Sequence, residues 1–260
     1  MRLLIIFIST IVVLSFHISC TSHKEENSDT SKELISYQTE HYDTYSSNFI
    51  EREDGSIDTT KFSIDYPVFT ENWVNELIQK ELFNQSKPQS LAKNFLAEYD
   101  EYYEGTEQMF TPPWEGMTKV EVTHQTPQYI TLRLHNFEYT GGAHGNYYYQ
   151  YLNIDVPNKK ALHLKDIIDP SKEDEFKSLA EAAFREDEGL SQTDSLNEKY
   201  FFENGEFEIT QNSGLEEEGL TLLYNIYEIK PYSEGVTILT LEYDKLDQIL
   251  SEEAKNLIQY

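Results

Sequence analysis

Residues able to do chemistry concentrate between positions 135 and 149. His135 and Glu138 stand three apart, and His144 follows inside Thr140-Gly-Gly-Ala-His-Gly-Asn146. Two imidazoles and a carboxylate could ligate zinc. On a strand, though, positions 135 and 138 have opposite parity and face opposite ways, so a shared metal would need a bulge. A binding role suits the segment better. Gly141, Gly142 and Gly145 permit positive φ and close backbone approach, which makes a tight loop of defined shape. Small neighbours leave the His144 ring accessible, and Asn146, Tyr147 and Tyr149 follow it. Tyrosine gives broad apolar contact plus a hydroxyl at low entropy cost, so this group reads as a recognition surface. The same residues also suit a plain structural turn with its tyrosines packed under a helix. His124 and His163 fall at strand-like edges and are expected at the surface. No G-x-S-x-G elbow, HExxH helix, phosphate loop or EF-hand loop occurs, and the expectation is a protein that is not an enzyme, with no cofactor or metal. The alternative is an enzyme, or an accessory subunit, acting on glycan, with His144 and nearby carboxylates in acid–base roles.

The second reactive group is Cys20, the sole cysteine. Leu3 to Ile18 is largely apolar but shorter than the roughly 20 positions a membrane span needs, so residues 1–19 read as a signal peptide. Ser19-Cys20 resembles the lipobox of bacterial lipoproteins, with His17 where that pattern prefers Leu. Cys20 is therefore the expected lipidation site, and the chain is expected to reach the membrane through that anchor. Lys24-Glu25-Glu26 resembles an export signal of some Bacteroidetes lipoproteins and points to the outer membrane and the cell surface.

Composition narrows the partners. Forty-seven acids against 20 Lys and Arg give a net charge of −27. That excludes nucleic acid and anionic lipid as partners, because both need cationic neutralisation. It favours rapid, salt-sensitive capture of a basic protein.

The elements that must hold the loop are legible from periodicity. A polar stretch, Thr21–Ser36, opens a disordered linker over 20–46. Phe62, Ile64 and Tyr66 alternate as a strand that Pro67 limits. Thr70 is placed to cap a helix over about Glu71–Asn84, and a second helix carries Leu91, Phe95, Tyr99 and Tyr102. Strands are expected over Met117–His124, Tyr129–Tyr139 and Tyr147–Val156, then near Glu206–Thr210, Leu220–Ile229 and Val236–Tyr243. A third helix spans about Glu173–Asp187 and stops at Gly189, and a last one carries Leu246 to Ile258. Hairpin-like strands with separate helices imply an α+β fold: antiparallel sheets covered by amphipathic helices, in two small packed subdomains over 47–140 and 141–260.

Several landmarks together resemble one family. They are Ile64-Asp-Tyr-Pro-Val-Phe69 leading into a helix with Asn75, Gly141-Gly-Ala-His-Gly145, Asn153-Ile-Asp155 before Leu162-His-Leu-Lys-Asp-Ile167, and Tyr227-Glu-Ile-Lys-Pro-Tyr-Ser-Glu-Gly235. The chain is similar over roughly 55–250 to the PdaC/RsiV-like extracytoplasmic module, a two-part domain of unknown function. The resemblance implies a PdaC-like part followed by an RsiV-like part. In one branch of that family the module precedes a peptidoglycan deacetylase domain; in another it is the outer part of an anti-sigma factor and binds lysozyme. Here the module alone is expected, as a stand-alone lipoprotein with a non-catalytic binding role. Lysozyme, another basic protein or peptidoglycan-related ligands are the implied partners.

Overall fold

A computed structural model describes residues 33–106 and 112–258. Residues from Glu33 onward form one compact unit. Cys20 and the rest of the expected signal peptide lie outside the described residues.

The chain begins with a long hairpin, β1 (Tyr37–Glu51) and β2 (Ile57–Phe69). Residues 37–46, expected as the end of the linker, are thus the first part of a strand. β1 is an edge strand with mostly exposed side chains, and its polar sequence conceals it. Two helices follow, α1 (Asn72–Glu81) and α2 (Pro88–Gly105). They form the crossover to β3 (Glu115–Gln125), which pairs with β2 in parallel over Lys61–Asp65 and Glu115–Lys119. The sheet is therefore not wholly antiparallel. Pro67 does not end β2: the strand continues to Phe69 against β1, past the point where β3 pairing stops, so the missing N–H costs nothing on that side. β4 (Tyr129–Tyr139), β5 (Asn146–Asp155) and the short β6 (Lys160–Leu162) complete a six-stranded sheet in sequence order.

Period-two patterning decides which face each residue takes. Ile64, Val120, Leu132, Leu134, Leu152 and Ile154 are buried on one face, where α1 and α2 cover them with Val74, Ile78, Ala92, Phe95 and Leu96. α1 is capped at Glu71 rather than Thr70. Thr70 Oγ1 instead donates to the Ser36 carbonyl (3.2 Å), while the Asn75 side chain binds the N–H and C=O of Phe69 (2.8 and 2.9 Å), clamping β2 to the helix.

Beyond β6 lie α3 (Leu164–Ile167), α4 (Glu173–Asp187), a three-stranded antiparallel sheet of β7 (Ser213–Leu215), β8 (Gly219–Tyr224) and β9 (Thr237–Glu242), then α5 (Tyr243–Leu246) and α6 (Glu252–Ile258). Phe176, Ala180 and Phe184 form the buried stripe of α4, and Gly189 turns the chain at φ +66°. Three expectations fail here, and the first is the strand near Leu220–Ile229, which stops at Tyr224. Glu206–Thr210 forms no strand, although Phe207 is buried. The last helix is broken over 247–251, because Ile249 O and Ser251 N bind Asp169 N and Ile167 O across the molecule (2.9 and 2.8 Å). The halves are joined by a buried polar seam. Asn153 of β5 donates to Ser213 O (2.8 Å) and accepts from Leu215 N–H (2.8 Å), and Thr131 of β4 donates to Leu215 O (2.6 Å). The boundary expected between 140 and 141 therefore falls inside the β4–β5 hairpin of a single sheet.

Candidate functional site

On the sheet face opposite α1 and α2, β4 presents Arg133, His135 and Phe137, and β5 presents Tyr147, Tyr149 and Tyr151. All six are half-buried; Gly214 of β7 lies against the Tyr151 ring and Gly145 against Phe137. His135 lies opposite Tyr149 in the register, and the rings stack at 4.5 Å and 14°. Tyr147 meets Tyr149 edge-on at 6.1 Å and His135 at 6.3 Å. The run continues into the second half of the chain. Tyr232 packs against Tyr147 at 6.0 Å, and the His144 ring stacks on Tyr232 at 3.8 Å and 18°. Tyr227 extends it beyond Tyr232 at 5.8 Å. The product is one continuous aromatic and imidazole strip drawn from β4, β5, the glycine loop and the turn over 227–235.

Local geometry explains the glycines. Gly141 sits at φ +88° at the start of the loop. At Gly145 a Cβ would collide with the Phe137 ring, so only glycine lets the loop fold down beside β4. Across the strip, Pro231 holds φ at −61° and Gly235 takes φ +70°, a pair that presents Tyr232 on a short turn. Beyond its short pairing with β6, the outer edge of β5 has no strand partner among the described residues, and two asparagines serve instead. Tyr149 N–H donates to Asn225 Oδ1 (2.7 Å) and Tyr151 N–H to Asn212 Oδ1 (2.8 Å). The Tyr149 carbonyl accepts from both amides, at 2.9 and 3.0 Å. The C-terminal half thereby sets the strand that carries the strip.

Charge borders the strip on one side. The Arg133 guanidinium lies 5.7 Å from the Tyr149 ring and 3.5 Å from Glu121, which pairs with Lys119 at 2.6 Å. The hydrogen bond from Lys119 holds the Glu121 carboxyl below its ordinary value despite partial burial. Burial, with the adjacent Arg133 charge, lowers the His135 imidazole, so its ring is neutral at neutral pH. Burial raises the Tyr147 phenol, with Tyr232 and Tyr149 adding to the effect, and it remains a hydroxyl donor. Such a surface offers flat apolar area, hydroxyl and imidazole hydrogen bonds and little fixed charge.

The residues singled out in the sequence divide in space. His144, Tyr147 and Tyr149 join the strip, while Gly141, Gly142 and Gly145 shape the turn that delivers it. Asn146 turns to the opposite face. His124, expected at the surface, is half-buried against Tyr129 at 5.4 Å; His163 is exposed. Sequence reasoning missed Tyr232, Tyr227, Arg133, Asn212 and Asn225 as parts of one site. Tyr232 stood inside a specific motif, but only the folded chain carries it to a loop almost ninety positions earlier. Among the described residues no group of three or more His, Cys, Asp or Glu could hold a metal ion, and no helix is long and apolar enough to cross a membrane.

Comparison with known proteins agrees with this two-part layout. A family model described as "Deacetylase PdaC" matches residues 53–147, and one described as "Protein of unknown function (DUF3298)" matches residues 165–244. Most of β5, the strand both halves hold, falls between them. No curated protein matches. Two crystal structures share the fold. A DUF3298 family protein from Pseudomonas aeruginosa PAO1 is 22% identical with a TM-score of 0.65, covering 86% of this chain and 97% of its own. A DUF3298 family member from Bacteroides fragilis NCTC 9343 is 20% identical with a TM-score of 0.66, covering 86% of this chain and 98% of its own.

Proposed function

We propose that this chain, which carries a PdaC segment followed by a DUF3298 segment, is a non-catalytic binding module held at the cell envelope by a lipid on Cys20, and that it captures a basic protein, lysozyme being the candidate. One observation carries the reading: the aromatic and imidazole strip from Tyr227 through Tyr232, His144, Tyr147 and Tyr149 to His135 lies on an open sheet face. Half-buried tyrosines are already ordered by their neighbours, so a partner gains apolar contact without immobilising floppy side chains. The net charge of −27 supplies attraction at longer range, which acts mainly on the association rate.

The test is calorimetric titration of the full chain with lysozyme at low and moderate salt. Saturable binding is expected at both, with slower association at moderate salt. Absence of binding at both would end the lysozyme reading. The enzymatic alternative predicts altered muropeptides after incubation with the chain, lost in His144→Ala; this account predicts no change.

A further inference from the structure

A second site lies on the other face of the same sheet end. Between α2 and the ends of β4 and β5 is a cleft of about 370 Å³ whose floor is Phe62, Leu91 and Phe95. Its walls carry Asn94 and Glu98 from α2, Asn136 and Glu138 from β4, and Asn146 and Tyr148 from β5. Nothing in the strip uses these groups.

Their hydrogen-bond state specifies the ligand. Asn136 is only 8% exposed. Its oxygen accepts from Thr118 Oγ1 (2.7 Å) and one of its N–H groups donates to Glu138 Oε1 (3.1 Å). An amide nitrogen has two hydrogens, so one buried donor is left without an acceptor among the described residues. Glu98 and Glu138 form no ion pair there either. Tyr148 is 41% exposed at the rim, and burial together with the nearby Glu138 charge keeps its hydroxyl protonated.

We infer that this cleft binds one pyranose ring of a saccharide. A bare cation could satisfy the two carboxylates but would leave the Asn136 donor unmet. A hydroxyl accepts from Asn136 and donates to a carboxylate at once, and vicinal hydroxyls repeat that pattern across Asn94 and Asn146. The C–H face of the ring then rests against Tyr148 and Leu91, with only the edges of Phe62 and Phe95 behind it. The volume lies within the usual range for small-ligand sites.

Saturation-transfer NMR on the full chain tests this, with glucose, N-acetylglucosamine, the linear N-acetylglucosamine tetramer and arginine amide as probes. Glu98 and Asn94 are exposed on α2, so Glu98→Gln with Asn94→Ala should leave the circular dichroism spectrum unchanged. Transfer to the ring protons of a monosaccharide is expected, weakened about tenfold in that double variant. Binding of the tetramer alone, with the same loss, assigns the site to a unit of a glycan polymer and equally supports the inference. No transfer to any sugar, sugar binding untouched by the double variant, or binding of arginine amide alone would overturn it. The strip lies on the opposite face, so failure here leaves lysozyme capture standing, and the reverse.

Discussion

Glu188 shows how this acidic chain uses single charges inside its fold. Its carboxylate is nearly buried at the end of α4 and receives Lys230 (2.6 Å), Lys199 (2.9 Å) and the Tyr200 hydroxyl (2.7 Å). Burial alone would raise its pKa, but these three donors outweigh that and bring it down to about 2. A folded-state pKa below the unfolded value contributes stability above the unfolded value, lost as pH falls from about 4.5 toward 2. Thermal melts should therefore drop through that window, and Glu188→Gln should flatten the drop. Lys230→Met leaves a buried carboxylate short of its closest partner and should cost about 3 kcal/mol in denaturant unfolding. At the strip, Tyr232→Ala and Tyr149→Ala each remove an ordered ring at its centre. Each should weaken lysozyme binding by roughly 2 kcal/mol, read beside a melting curve that checks the fold of each variant.

Among the elements, β5 couples the halves. It pairs with β4 on one side, and on the other its 149–151 backbone is held by Asn212 and Asn225. Asn225→Ala frees the Tyr149 N–H and removes one of two donors to its carbonyl. Amide exchange at Tyr149 should accelerate, with a stability loss of about 1–2 kcal/mol; unchanged exchange would mean the side chain is not acting as a strand. The same scale shows what the sequence discloses. Strong periodicity set α4 and β4 at their observed bounds, since apolar stripes of period 3.6 or 2 have one buried solution. β1 escaped because an edge strand can be polar on both faces. The single helix expected over Leu246–Ile258 failed because long-range bonds from Asp169 and to Ile167 compete with the helical ladder there, and local pattern cannot register them. The loop glycines and neighbouring tyrosines were legible as a tight turn beside an aromatic cluster. Tyr232 and the two asparagines were not, because their role is created by chain segments that meet only on folding.

For the molecule as a whole, the two family segments do not mark two independent bodies. One sheet runs through the first segment into β5, and the second segment is sewn to it by Asn153, Thr131 and the edge asparagines. Heating should therefore give one calorimetric transition, whereas two separated transitions would contradict the shared strand. The overall charge of −27 belongs to this scale as well, because its effect is a field rather than a contact. Raising salt should slow lysozyme association much more than it speeds dissociation. The most direct test of the binding account is the affinity of lysozyme for the full chain set beside Tyr149→Ala, Tyr232→Ala and the double variant, all with folding checked. The account predicts a loss of at least roughly tenfold for each single variant, although one residue comes from each half, and a combined loss that departs from the sum because the rings share Tyr147. Undiminished affinity in both single variants, or none in the unaltered chain, would contradict it.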